Sequence, residues 1–303
     1  MAHRPSLPGL HVPLVTPFTA DGRVAITALA ELADSVLDAG ATGIVALGTT
    51  AEVATLDADE KTAVVDVCAQ VCRERKKTLI VGAGGNNTRA SAAALAGLAR
   101  WPETTAALVP VPAFTRPGAA GVLAHFAQLA GTSPVPLIVY HVPLRTGQML
   151  DAKALRALGE LPGVSGIKLA GGQLDEQTVA LLADLPADFA VLAGDDQYVF
   201  PLLALGAVGG IVASAHLATE HFVDLVTTCQ QGDLGRARNL GRALFRLAAA
   251  AFSEPNPTVI KGVLHEQGRI PTPDVRLPLL PAEGESVAKV LAELDTLANL
   301  RPR

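Results

Sequence analysis

Lys168 is the residue of this sequence whose surroundings most suggest covalent chemistry. It lies in the apolar run Gly163-Val164-Ser165-Gly166-Ile167-Lys168-Leu169-Ala170, with no acidic residue within six positions. An ammonium group removed from water loses its proton more readily, and the neutral amine can attack a carbonyl to form a Schiff base. The alternative is a lysine at a strand end whose ammonium group reaches solvent. Lys261 also has apolar neighbours, but we expect a helix at that position to give it an exposed face.

Hydroxyl groups after two other apolar runs could assist such a reaction. Tyr140 ends the run that precedes the run of Lys168, so adjacent parallel strands would bring the two side chains within reach. A phenol beside the amine can transfer protons while the Schiff base forms. Gly48-Thr49-Thr50 offers hydroxyls and backbone N–H groups before a helix, which suits a carboxylate. The alternative is that Tyr140 packs its ring in the core and that Gly48-Thr49-Thr50 forms a turn that caps a helix, with no catalytic role for either.

These residues lie in a repeating pattern of short apolar runs, each followed by a helical segment rich in Ala, Leu and Glu. The eight runs are 11–18, 43–48, 78–84, 107–112, 136–143, 164–170, 190–195 and 209–214. Continuous hydrophobicity, as in Leu137-Ile138-Val139, is typical of parallel strands that are buried on both faces. The pattern predicts a (β/α)8 TIM barrel, in which functional groups lie at the carboxyl ends of the strands. A doubly wound sheet is the alternative, but no glycine-rich dinucleotide turn follows the first run.

The pattern changes near residue 233, where helical periodicity continues without further strands. We predict a barrel over residues 1–232 and a C-terminal helical appendix over 233–303 that packs on the barrel as part of one structural unit. The Pro-rich turn at 254–257 is expected to separate two helices.

Composition excludes several classes of protein. With 24 Lys and Arg against 29 Asp and Glu and a net charge of −5, the chain lacks the basic face of a nucleic-acid binder. Three irregularly spaced cysteines predict neither a disulfide framework nor a zinc site. No run of about 20 apolar residues could span a membrane, and the N-terminal residues lack the apolar segment of a signal peptide. We therefore expect a cytoplasmic protein without membrane association.

Three segments, in order, resemble the signatures of the dihydrodipicolinate synthase/N-acetylneuraminate lyase family, and most closely its synthase branch. They are Gly48-Thr49-Thr50-Ala51-Glu52, Tyr140-His141-Val142-Pro143 with Arg145-Thr146-Gly147, and Gly166-Ile167-Lys168. Shorter matches are Leu14-Val15-Thr16-Pro17-Phe18, Gly194-Asp195-Asp196, and Asn256-Pro257 with Lys261. The similarity extends over residues 9–297.

The resemblance implies a class I lyase that binds pyruvate as a Schiff base on Lys168 and needs no metal or cofactor. Tyr140 would transfer protons, and Thr49, counted with the catalytic residues, would hold the keto-acid carboxylate together with Thr50. The backbone of Ile211 would help to hold it. The resemblance also implies small-molecule substrates, a role in lysine biosynthesis, and a homotetramer built as a dimer of dimers.

Two further positions bear on the second substrate. Gly194 falls in a matching segment and is assigned to substrate binding. Arg145 matches the arginine with which the synthase branch grips the carboxylate of aspartate semialdehyde, and which the sialic-acid lyase branch generally lacks. The resemblance therefore favours the condensation of pyruvate with aspartate semialdehyde.

The sequence departs from the family pattern at Phe114, where the synthase branch has a tyrosine delivered across a dimer interface. A phenyl ring is expected to keep the packing and lose the hydroxyl. Ala51 replaces a glycine and His141 an asparagine. These changes keep two alternatives open: an aldolase or dehydratase acting on a 2-keto-3-deoxy sugar acid, and a barrel that binds a keto acid without catalysis.

Overall fold

A computed structural model describes residues 7–300 and 302 of the chain. Residues 1–6, for which we expect no signal peptide, lie outside the described residues, as do 301 and 303. The strands are β1 (Gly9–Pro13), β2 (Gly43–Ala46), β3 (Thr78–Gly82), β4 (Thr104–Pro110), β5 (Leu137–His141), β6 (Val164–Leu169), β7 (Ala190–Ala193) and β8 (Gly209–Ile211). The helices are α1 (Ile26–Asp38), α2 (Ala58–Arg75), α3 (Thr88–Gly97), α4 (Gly118–Thr132), α5 (Pro143–Thr146), α6 (Ala152–Gly159), α7 (Glu176–Ala183), α8 (Val199–Ala204), α9 (Ala215–Gln230), α10 (Leu234–Ala251), α11 (Thr258–Glu266) and α12 (Gly284–Leu297).

The strands form a closed barrel in chain order, from β1 to β8. Each of the eight predicted apolar runs overlaps one strand, although β1 and β4 begin two and three residues before their runs, and the strand pairings are parallel. The predicted (β/α)8 barrel is therefore confirmed. Among the described residues, no helix has the length and the apolar character that crossing a membrane requires.

The chain divides into two compact units. The first comprises Met1–Pro8 with Ile80–Ile211, and the second Gly9–Leu79 with Val212–Arg303. The predicted boundary between 232 and 233 lies inside the second unit and stays a prediction.

The core of the first unit is built on strands without a solvent face. Every residue of β5 and β6 is buried, as expected for parallel strands covered on both sides. Burying one aliphatic side chain of this kind stabilises the fold by about 1.5–3 kcal/mol. The strands therefore give the residues at their carboxyl ends a rigid base.

The second unit joins the first strands to the C-terminal helices. α2 begins with a capping box in which Asp57 accepts from the backbone N–H of Glu60, and Glu60 accepts from that of Asp57. α10 buries Leu240, Leu244 and Leu247 along one face, the spacing of an amphipathic helix. α10 and α11 are separated at the predicted Pro-rich turn.

Candidate active site

Lys168 and Tyr140 form the centre of the candidate site in the first unit. They are direct partners in the register of β5 and β6, and the Lys168 Nζ atom lies 4.5 Å from the centroid of the Tyr140 ring. Both side chains are buried, with 5% and 6% of their surfaces exposed. The structure thus brings together the amine and the phenol that the sequence singled out, in a setting largely removed from water.

A β-bulge makes this pairing possible. Leu137 pairs with Val164, but Ile138 pairs with Gly166, so Ser165 is an extra residue in β6. The Ser165 hydroxyl donates to the carbonyl oxygen of Leu137 at 3.2 Å and ties down the bulge. Bulges often redirect side chains near functional sites.

Gly194 follows β7 and lies against the stem of Lys168. Its N–H donates to the carbonyl oxygen of Leu169 at 2.8 Å. A Cβ atom at this position would lie 2.8 Å from Lys168 Cγ, 2.9 Å from the Leu169 carbonyl oxygen and 3.0 Å from Ala170 Cβ. Only glycine lets the chain pass this close to the lysine, so Gly194 helps to define where the Lys168 side chain lies.

Asp195 adds a carboxylate to this cluster that the sequence analysis did not assign to the site. Burial raises the pKa of Asp195, while a hydrogen bond from the Gly172 N–H and the charges of Lys168 and Arg145 act to lower it. The Gly172 N–H lies 2.7 Å from the Asp195 Oδ2 atom. Arg145, on the short helix α5, is exposed and so has a guanidinium group free to meet a charged ligand.

Phe114 is 87% exposed, so its ring is not packed within this chain. The residue has a φ of 63°, a left-handed conformation that is uncommon for a bulky residue. Its backbone N–H donates to the carbonyl oxygen of Thr146 at 3.2 Å. The loop after β4 is thus anchored through its backbone and leaves the ring outside the packing of this chain. Ile211, at the end of β8, is fully buried.

The predicted carboxylate-binding residues lie in the second unit, after β2. Thr49–Ala51 forms a single 3-10 turn. Thr50 is buried, and its hydroxyl oxygen accepts a hydrogen bond from Asn256 Nδ2 at 3.0 Å. The carbonyl oxygen of Ala51 accepts from the Thr16 hydroxyl at 2.8 Å. The turn is thus held from two sides.

Lys261 is fully buried, and the exposed face that we expected for it does not exist. Every residue from Thr258 to Leu264 is buried, so this part of α11 has no solvent side. The Lys261 Nζ atom lies 2.8 Å from Glu52 Oε1 and 4.1 Å from the centroid of the Phe18 ring. The ion pair and the ring account for this second buried lysine.

The sequence analysis did not predict that the turn is held by three further residues, which are Glu52, Asn256 and Arg276. Glu52 and Asn256 stand in segments that match the family, which was a signal that they have a role. Arg276 stands in no such segment, and its backbone N–H donates to Glu52 Oε2 at 2.8 Å.

The barrel and the paired lysine and tyrosine at the ends of adjacent strands place this protein among the barrel lyases. The chain belongs to the dihydrodipicolinate synthetase family, whose sequence model matches residues 6–297. It is 37% identical over 284 residues to the 4-hydroxy-tetrahydrodipicolinate synthase of Moorella thermoacetica, covering 93% of this chain and 95% of the relative. These matches confirm the predicted family and enzyme class.

Solved structures agree with the fold over nearly the whole chain. Dihydrodipicolinate synthase from Thermotoga maritima superposes with a TM-score of 0.92 at 28% identity, covering 99% of this chain and 100% of that one. The chloride-inhibited dihydrodipicolinate synthase from Acinetobacter baumannii, complexed with pyruvate, gives a TM-score of 0.91 at 32% identity, covering 97% and 99%. The fold of this chain is thus that of the synthases.

Proposed function

We propose that this chain is a 4-hydroxy-tetrahydrodipicolinate synthase, which condenses pyruvate with aspartate semialdehyde. The observation that carries the proposal is the buried pair of Lys168 and Tyr140, in direct register at the carboxyl ends of β5 and β6. The names of relatives up to 37% identical support the same activity.

Lys168 is the nucleophile of the proposed reaction. Its neutral amine attacks the carbonyl carbon of pyruvate, a C–N bond forms, and the carbonyl oxygen leaves as water. The Tyr140 hydroxyl transfers the protons that this exchange requires. Thr49 and Thr50, with the backbone of Ile211, hold the carboxylate of pyruvate. The covalent intermediate supplies the electron sink, so the proposal includes no metal or cofactor.

The second substrate is assigned through charge. Aspartate semialdehyde carries a carboxylate, and the exposed guanidinium of Arg145 offers it a charge-assisted hydrogen bond. We further propose a cytoplasmic homotetramer, built as a dimer of dimers and acting in lysine biosynthesis.

Phe114 favours a second candidate activity. The phenyl ring supplies no hydroxyl where the synthase branch has a tyrosine, and the ring does not pack within the chain. An aldolase or dehydratase for a 2-keto-3-deoxy sugar acid would use the same Lys168 and Tyr140 without this hydroxyl.

The test combines trapping with a substrate panel. Pyruvate with borohydride should leave an adduct on Lys168, located by peptide mass mapping, and a Lys168→Met variant should give none. A Lys77→Met variant should be trapped as the wild type is, because the Lys77 ammonium donates to a backbone carbonyl in the second unit. Pyruvate with aspartate semialdehyde should then yield the condensation product; efficient cleavage of a sugar acid instead would replace the synthase assignment. An adduct on Lys261 would refute both activities.

A further inference from the structure

The turn Thr49–Ala51 and the residue that follows it are hydrogen-bonded to the segment from Asn256 to Arg276, which includes α11. Besides the Thr16 contact with Ala51, Thr50 contacts Asn256 on the turn before α11, and Glu52, the next residue along the chain, contacts Lys261 and Arg276. The sequence separations are more than 200 residues, so the chain returns from its far end to hold this turn.

The contact between Asn256 and Thr50 determines which hydrogen-bond role is left to the Thr50 hydroxyl proton. A threonine hydroxyl has one proton to donate and two lone pairs that accept. Because Asn256 Nδ2 donates to the Thr50 oxygen at 3.0 Å, this contact leaves the hydroxyl proton available for an acceptor. A carboxylate only accepts hydrogen bonds, so it is the ligand that such a hydroxyl suits.

The contacts of Glu52 fix the backbone at the end of the turn. Glu52 has a left-handed backbone, with a φ of 54°, and its N–H donates to the carbonyl oxygen of Thr49 at 3.2 Å. One carboxylate oxygen accepts from the Lys261 ammonium and the other from the Arg276 N–H, both at 2.8 Å. Burial lowers the pKa of Lys261, and the negative charge of Glu52 acts to raise it. Separating the pair would leave a buried charge unpaired, so the pair holds the turn in place.

The ring of Phe18 completes this arrangement. The Lys261 Nζ atom lies 4.1 Å from its centroid and the Arg276 Cζ atom lies 4.5 Å from it. Cations at this distance are attracted to the electron-rich face of an aromatic ring. The ring therefore helps to hold both groups that contact Glu52.

We propose that Asn256 and the Lys261–Glu52 pair are positioning residues for the pyruvate carboxylate. Asn256 keeps the proton of Thr50 directed at the ligand, and the ion pair fixes the backbone of Thr49–Ala51. The proposal rests on the proposed function, since it takes pyruvate as the ligand of this turn. None of the three residues is assigned a contact with the substrate.

The test measures the pyruvate concentration that gives half-maximal borohydride trapping at Lys168, which needs no second substrate. Asn256→Ala should raise it about tenfold, the loss expected for one hydrogen bond. Asn256→Asp has nearly the same shape but should raise it further, about a hundredfold, because a carboxylate takes the Thr50 proton and repels the ligand. The maximal trapping rate should stay within about twofold of the wild type, since the binding of pyruvate and not its chemistry is weakened.

Asp224→Asn is the matched control. Asp224 is a buried carboxylate paired with Arg236 between α9 and α10, so its loss costs stability of a similar kind, and half-maximal trapping should not change. Glu52→Gln alone leaves Lys261 unpaired and can unfold the protein, so Glu52→Gln/Lys261→Met, which removes both charges, is measured beside it. This double variant should fold and still need about tenfold more pyruvate.

The outcomes separate the two proposals. Wild-type protein without an adduct on Lys168 would refute the proposed function and this inference with it. If the wild type forms the adduct, two results would refute the direction assigned to the Thr50 proton. One is an Asn256→Asp variant that needs no more pyruvate for half-maximal trapping than the wild type does, and the other is an Asn256→Asp variant that needs no more than Asn256→Ala does. A folded double variant with unchanged pyruvate dependence would refute the role of the ion pair.

Discussion

Adding one methyl group at Gly194 should impair Lys168 without touching any group that reacts. A Cβ atom at this position would lie 2.8 Å from Lys168 Cγ, whereas carbon atoms in ordinary contact are about 3.5–4.0 Å apart. The carbonyl oxygen of Leu169, at 2.9 Å, belongs to the backbone of β6 and cannot move easily. The lysine stem must therefore shift by about 0.7–1.2 Å to restore contact distance.

This shift sets the size of the expected effect. A displacement of about 1 Å in a reacting group can lower the rate about 100-fold. We therefore expect Gly194→Ala to lower kcat/KM for pyruvate about 100-fold. Overpacking should also lower the free energy of unfolding by about 1–3 kcal/mol.

The assay is the rate of borohydride trapping at Lys168 together with steady-state turnover, and urea unfolding reports the stability. Gly85→Ala is the matched control: this glycine also follows a strand, and a Cβ atom there meets nothing within 4 Å. Its trapping rate should equal that of the wild type. A Gly194→Ala variant that is folded and traps pyruvate within twofold of the wild-type rate would refute the assignment of Gly194 to the placement of Lys168.

Three further predictions concern the aldehyde partner, the proton relay and pH. Arg145→Ala should raise KM for aspartate semialdehyde about tenfold, the lower end for a charge-assisted hydrogen bond because the guanidinium is exposed; equal weakening of pyruvate trapping would show a structural role. Phe114→Tyr should raise kcat with aspartate semialdehyde about 100-fold, since it restores a proton donor; an unchanged kcat would show that the hydroxyl is not limiting. Burial lowers the pKa of His216 from 6.5 to about 4, and its Nε2 atom accepts from the Val15 N–H at 3.2 Å, so a proton there would displace that hydrogen bond. Because the unfolded chain takes up this proton below about pH 6.5 and the folded chain only near pH 4, stability is lost as the pH falls, by about 2 kcal/mol between pH 7 and pH 5. Burial lowers the pKa of His141 in the same way, so the contribution of His216 is measured as the difference between the wild type and a His216→Gln variant in urea unfolding at both pH values. A folded variant with the same pH dependence as the wild type would contradict the assignment.

The features that could be predicted from the sequence are those that depend on contiguous residues. Leu137-Ile138-Val139 is apolar without alternation because β5 is covered on both faces, and this signal, repeated eight times, was enough for the barrel. Lys168 and Tyr140 were found because a charged or polar group stands out within such a run.

The features that could not be predicted depend on contacts between distant residues. Glu52 and Lys261 are 209 positions apart, and nothing in either neighbourhood indicates that the other is its partner. The exposed face expected for Lys261 assumed an amphipathic helix, whereas α11 is buried on all sides from Thr258 to Leu264. The exposure of Phe114 follows from the conformation of the loop after β4, which residue types do not determine.

The bulge at Ser165 makes the candidate site depend on the register between β5 and β6. If the pairing of Leu137 with Val164 continued without the register shift, Tyr140 would pair with Ile167, and Lys168 with His141. A chain with these same residues but without the shift would thus give the amine a different partner while keeping every side chain of the site. Deleting Ser165 would instead restore regular pairing with Tyr140 still opposite Lys168, so the extra residue and the register shift can be lost only together. The pairing of the amine with the phenol therefore depends on the length of this segment and on the register shift together, and not on the presence of the two side chains alone.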